Sequence, residues 1–179
     1  MNSSSERVFG GMLVPRAYAK VVGRASFRSA PAVRRFAAAA MEKACREFAC
    51  DLSECLGMDS TFTGVLAGIG LDLKAQPAGS LILLGLSPKL ETGLRTLGLD
   101  RIATLCNSAA AGAAGGVPED VLAPLETGNS NGELTAQAVL DAHETLSSLS
   151  DENRATFENV VSCLRKDPQN PGCGNPAGG

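Results

Sequence analysis

Aromatic residues are scarce in this 179-residue chain, which has no tryptophan, one tyrosine and six phenylalanines. Its core must therefore be built from Leu, Val, Ile and Ala, which the 44% hydrophobic share can supply. Histidine occurs once, at His143, and none of the six cysteines forms a CxxC pair, so an ordinary Cys/His zinc site is not expected. No run approaches the roughly 20 consecutive apolar residues that span a bilayer. Neither sign of charge dominates: 16 basic against 19 acidic residues leave a net charge of −3, which argues against direct nucleic-acid binding. The opening Met1-Asn2-Ser3-Ser4-Ser5-Glu6-Arg7 lacks a basic segment followed by an apolar one, so no secretory signal is expected and the expected location is cytoplasmic. There the cysteines read as buried small hydrophobes, with Cys173, in a Gly/Pro tail, as an exposed free thiol.

The chain then divides by pattern. Residues 1–5 are polar and expected to be disordered. Two short strands are expected within residues 8–22, with Pro15 at an edge or turn. In the second, Tyr18, Lys20 and Val22 share one face and Ala17, Ala19 and Val21 the other, and Gly23-Arg24 ends it. Pro31 suits a first helical turn, followed by Val33, Phe36, Ala37, Ala40, Met41 and Ala44 at helical spacing. Phe48, Cys50 and Leu52 alternate as on a strand ending near Leu52, which completes a strand–helix–strand unit. The non-alternating Leu81-Ile82-Leu83-Leu84 predicts a strand buried on both faces of a parallel sheet covered by helices. Ser87-Pro88 opens a helix with Leu90, Leu94 and Leu97 on one face and Gly98 at its end, and a last short strand is expected over 102–105. Residues 107–132 read as an Ala/Gly-rich linker with one short turn around 119–125. Two amphipathic helices follow within 133–167, carrying Val139, Ala142, Leu146 and Leu149, then Phe157, Val160, Val161 and Leu164. The Pro/Gly/Asn-rich tail, 168–179, is expected to be disordered.

The stretch with most chemistry is Met58-Asp59-Ser60-Thr61-Phe62-Thr63-Gly64, a carboxylate and three hydroxyls where a strand gives way to a helix. Downstream, Phe62, Val65, Leu66, Ile69 and Leu73 recur at helical spacing, which puts Asp59 or Ser60 at the N-cap. Gly64, Gly68 and Gly70 weaken this helix unless their face packs closely on a sheet.

The order strand, strand, helix, strand, Asp-Ser, helix, strand, Ser-Pro helix, strand resembles the STAS domain of bacterial anti-sigma factor antagonists. Three places carry the resemblance: Gly23-Arg24; Asp51-Leu52-Ser53 leading into Met58-Asp59-Ser60-Thr61-x-x-Gly64; and Leu86-Ser87-Pro88 with Leu97-Gly98-Leu99-Asp100. It covers about residues 7–106 and implies an α/β fold, a STAS-like domain over 6–106 with a small mixed or parallel sheet flanked by helices, here with a helical C-terminal extension. It also implies a non-enzyme that binds an anti-sigma factor with serine kinase activity and regulates sigma-factor-dependent transcription. In that family the serine after the Asp is phosphorylated, which carries over to Ser60. Phosphorylation releases the partner, and a serine phosphatase restores binding. The implied partner-binding residues are Gly23, Arg24, Asp59, Ser60, Thr61, Phe62 and Thr63. This chain departs from the usual Asp-Ser-Ser/Thr-Gly-aliphatic-Gly by placing Phe62 and Thr63 where the first glycine and the aliphatic residue stand. Thr61 and Thr63 are therefore alternative acceptors, and Phe62 is either a core residue or part of the docking surface. A non-switching STAS scaffold in a larger signalling complex is the alternative function.

Other residues read more plainly. His143 is expected to be structural or at the surface. Catalysis by Ser60 would need a general base, and the lone histidine lies beyond a flexible linker. Asp51 is expected at a strand end, and Arg34, Arg35, Lys43 and Arg46 on a solvated helix face able to meet an acidic partner. No cofactor is expected. The two C-terminal helices can pack back on the sheet or mediate a homodimer.

Overall fold

The computed structural model describes residues 6–107, 116–127 and 132–167. Strands β1 (Arg7–Leu13) and β2 (Arg16–Ala25) form an antiparallel hairpin around a cis Val14–Pro15 bond. Helix α1 (Ala30–Glu42) carries Pro31 in its first turn and leads to β3 (Glu47–Met58), parallel to β2. Helix α2 (Ser60–Lys74), β4 (Ser80–Leu86), α3 (Pro88–Thr96) and β5 (Thr104–Asn107) follow, both strands adding in parallel. A two-residue strand β6 (Ala123–Pro124) pairs antiparallel with β1, giving the order β5-β4-β3-β2-β1-β6. The segment read as a linker thus supplies an edge strand. Helices α4 (Gly132–Leu149) and α5 (Asp151–Lys166) complete the chain. No described helix is long and apolar enough to cross a membrane.

Alternation along the strands sorts two apolar clusters onto opposite faces of the sheet. Ala17, Ala19, Val21, Phe48, Cys50, Leu52, Leu81 and Leu83 share the main core with Val33, Ala37, Phe62, Leu66, Ile69 and Leu94 from the helices. Tyr18, Ala49 and Leu84 point the other way, and Ile82, Val117, Val121 and Leu122 pack against them. The run at 81–84 is therefore shielded on both sides, but its second cover is the segment at 117–122, with a single 3-10 turn at Glu119–Val121, rather than the expected helix. Lys20, on that second face, pairs with Glu54 at 2.9 Å and Glu119 at 3.2 Å, which ties the cover to the sheet.

Three local expectations are corrected. Strand β2 does not end at Gly23-Arg24 but runs to Ala25, with Gly23 at φ 83° and a register shift beside it, a bulge that glycine accommodates without strain. Strand β3 continues past Leu52 to Met58, so Asp51 lies inside it, its Oδ1 accepting from the Ser53 N–H at 2.9 Å. Cys163, expected as a buried thiol, is half-buried and disulfide-bonded. Cys45, Cys50 and Cys55 are free and buried, and burial raises the Cys50 and Cys55 thiols above their ordinary range. The expectations for residues 1–5, the 168–179 tail and Cys173 lie outside the described residues.

The extension packs back on its own chain, and on α2 rather than on the sheet. Ala142, Leu146 and Phe157 join the main core, and Val160, Val161 and Leu164 are buried along α5. Asn153, only 3% exposed, donates from Nδ2 to the carbonyls of Leu97 at 3.0 Å and Leu146 at 2.9 Å, fixing the α4–α5 turn against the end of α3. Much of each apolar stripe is thus used within the chain, while Val139 and Leu149 stay half-buried.

Candidate functional site

The start of α2 is set by Asp59. Its extended backbone and side chain make it the N-cap: Oδ1 accepts from the Phe62 N–H at 2.8 Å. Its second oxygen accepts from the Phe27 N–H at 2.8 Å, and its own N–H donates to the Ala25 carbonyl at 3.1 Å. One carboxylate thus fastens the end of β2 to the beginning of α2. Asp59 takes the cap, which leaves Ser60 as the first helical residue.

Ser60 is half-buried, and its Oγ lies 2.9 Å from His143 Nε2. The other ring nitrogen, Nδ1, lies 2.7 Å from the Val139 carbonyl. A carbonyl only accepts, so Nδ1 carries the proton, Nε2 presents its lone pair, and the Ser60 hydroxyl donates. His143 is 1% exposed, and its ring meets the Phe157 ring edge-on at 5.5 Å. Burial holds its pKa below the usual histidine range, partly offset by the hydrogen bond to Val139 and the negative charge of Asp59. The imidazole is therefore neutral near pH 7, in the state this network requires.

The other predicted site residues separate. Thr61 and Thr63 are buried, and the Thr63 hydroxyl donates to the Asp59 carbonyl at 2.8 Å. Phe62 is fully enclosed, which resolves its two readings in favour of the core. Gly23 is buried in β2, whereas Arg24 is exposed. Exposed residues around the ends of β2 and β3 include Arg24, Phe27, Arg28 and Leu56, the last 74% exposed, and the Phe27 N–H donates to the Asp59 carboxylate. Of the basic residues on and after α1, Arg35 and Lys43 are exposed. Arg34 pairs with Asp72 of α2 at 2.6 Å, and Arg46 donates to the Met41 and Cys45 carbonyls.

His143 is the residue that sequence reasoning placed wrongly relative to Ser60: the expected linker does not keep them apart. A signal was present. Ser60 and Gly64 are four apart, so they form a small-residue stripe on one helix face, and α2 is apolar nearly all round, as a helix covered on both sides must be. Gly64 meets Ala142 so closely that an added Cβ would lie 2.3 Å from the Ala142 carbonyl oxygen. Gly70, by contrast, packs toward the sheet, where an added Cβ would lie 3.2 Å from Leu81. Among the described residues no group of His, Cys, Asp and Glu side chains is arranged to hold a metal ion.

No family model and no curated protein matches the chain. Solved structures do. The crystal structure of a Thermotoga maritima protein, assigned as an anti-sigma factor antagonist, matches with a TM-score of 0.51 at 17% identity, over 59% of this chain and 90% of that one. Its solution structure matches with the same score and identity, over 59% of this chain and 85% of that one. The chain carries the STAS fold of the anti-sigma factor antagonists. The phosphorylated form of the Bacillus cell fate determinant SpoIIAA also aligns, with a TM-score of 0.48 at 21% identity, over 59% of this chain and 97% of that one. Most of the Thermotoga protein is matched, so a large part of this chain has no counterpart in it.

Proposed function

We propose that the chain is an anti-sigma factor antagonist switched by phosphorylation at Ser60. Its partner would be an anti-sigma factor with serine kinase activity, a serine phosphatase would reverse the modification, and the output would be sigma-factor-dependent transcription. The observation that carries this reading is Ser60 as the first residue of an Asp-capped helix, within the fold shared with anti-sigma factor antagonists. A phosphate there adds roughly −1.5 to −2 charges and three acceptor oxygens at one point. The helix dipole tolerates an anion at this end, so the STAS unit can keep its fold. A partner seated over Arg24, Phe27, Leu56 and Ser60 would instead meet repulsion and an uncompensated desolvated charge. Thr61 and Thr63 are weaker candidates because both are buried.

The Ser60–His143 pair has the contact of a nucleophile and its base, but the group orienting the imidazole is a neutral carbonyl, and the ring is sealed from solvent. We therefore assign Ser60 as an acceptor of phosphate rather than a catalytic nucleophile. The same contact favours a second reading, a non-switching STAS scaffold, because the hydroxyl is already engaged. Affinity capture with Ser60→Ala and Ser60→Asp separates the two. The switch predicts retained binding for the alanine variant and loss for the aspartate variant; equal capture by both supports the scaffold.

A further inference from the structure

The outer face of α2, Ser60 included, is covered by a part of the chain itself. Helix α4 lies along it, with His143 on Ser60 at 2.9 Å and Ala142 against Gly64. Helix α5 backs α4 through Phe157 on His143 and an Arg165–Glu144 ion pair at 2.7 Å. The closeness at Gly64 shows a surface shaped to its cover, since any side chain there would collide with the α4 backbone. With the Ser60 side chain directed as it is, a phosphate on Oγ has no room in front of the imidazole 2.9 Å away. The phosphorus and its oxygens would have to occupy the space now held by the imidazole, and the anion would lie beside the Asp59 carboxylate.

Resting on the reading of Ser60 as the phosphoacceptor, we propose that the α4–α5 hairpin is an intramolecular cap over the switch. Docked, it withholds Ser60 and the outer face of α2 from a kinase or partner; undocked, it exposes both. Phosphorylation and docking exclude one another, so modification of Ser60 holds the hairpin off, and whatever binds the docked hairpin disfavours modification. Undocking exposes the outer face of α2 and the three hairpin residues that join the main core, Ala142, Leu146 and Phe157, while the pairing of β1–β5 does not involve the hairpin.

The test needs no partner. In the full chain, Ser60→Cys is alkylated with iodoacetamide and the rate at position 60 is followed by peptide mass spectrometry, with and without Gly64→Ala. The added methyl presses on the Ala142 carbonyl, while helix propensity in α2 improves. The cap predicts slow labelling in the single variant and at least about tenfold faster labelling in the double variant, with the amides of β2–β4 still protected from hydrogen exchange. Equal rates overturn it. Should the double variant fail to fold, Asn153→Ala, which removes the two bonds at the hairpin turn, replaces Gly64→Ala with the same two outcomes. The failures are separable. Faster labelling in a chain whose Ser60 never carries phosphate would leave the cap standing and remove its signalling role. Phosphate on Ser60 together with equal labelling rates would keep the switch and remove the cap.

Discussion

The hydrogen bond from Ser60 to His143 depends on an imidazole that stays neutral, which gives it a pH signature. Burial lowers the folded pKa of His143 below its ordinary 6.5, so between the two values the unfolded chain binds a proton that the folded chain refuses. The neutral histidine's contribution is complete above pH 6.5 and is lost as pH falls below that value toward the folded pKa. Urea denaturation at pH values from about 7.5 to about 5.5, a range above most carboxylate titrations, should show stability falling more steeply for the native chain than for His143→Gln. Parallel curves would mean that the ring is hydrated in solution and the contact with Ser60 is not held. At this scale the sequence disclosed half of the site. Asp59 and Ser60 were legible because a cap and a first helical residue are defined by their neighbours along the chain. His143 was not, because an 83-residue separation from Ser60 is closed only by helix packing.

Among the elements, α2 depends most on a single side chain. Asp59 caps it through Phe62 and, with its other oxygen, holds the Phe27 N–H at the end of β2. Asp59→Ala should cost about 1–2 kcal/mol from the lost cap, with more from the Phe27 donor left unpaired. Asp59→Asn, which retains an accepting oxygen, should recover most of it. Thermal or urea unfolding of the three proteins checks this; a neutral Asp59→Ala would mean that the start of α2 is stabilised elsewhere. The elements themselves were largely readable from period: β4 from its unbroken apolar run, α3 from Ser87-Pro88 and Gly98, α5 from Ser150, whose side chain accepts from the Asn153 N–H at 3.1 Å. What failed had no local signature. Strand β3 runs six residues beyond Leu52 because β2 and its bulge at Gly23 accompany it. Strand β6 exists only as a partner for β1, and its Ala123-Pro124 carries no strand pattern of its own.

For the molecule as a whole, the STAS unit and the hairpin form one packed body, and the proposed switch lies at the boundary between them. An isolated STAS unit would leave the Ser60–Gly64 face of α2 open. Here that face is occupied by α4, while Arg24, Phe27, Arg28 and Leu56 around the ends of β2 and β3 are exposed. The resemblance in sequence reached the fold, but it could not reach the cover, because the extension lies outside the resembling segment. The central claim is a phosphorylation switch at one hydroxyl. The most direct measurement is phosphosite mapping by mass spectrometry on the full chain purified from its native cells across growth and stress conditions. The account predicts phosphate on Ser60, with Thr61 and Thr63 unmodified. Phosphate confined to either threonine, or none at Ser60 under any condition, would contradict it.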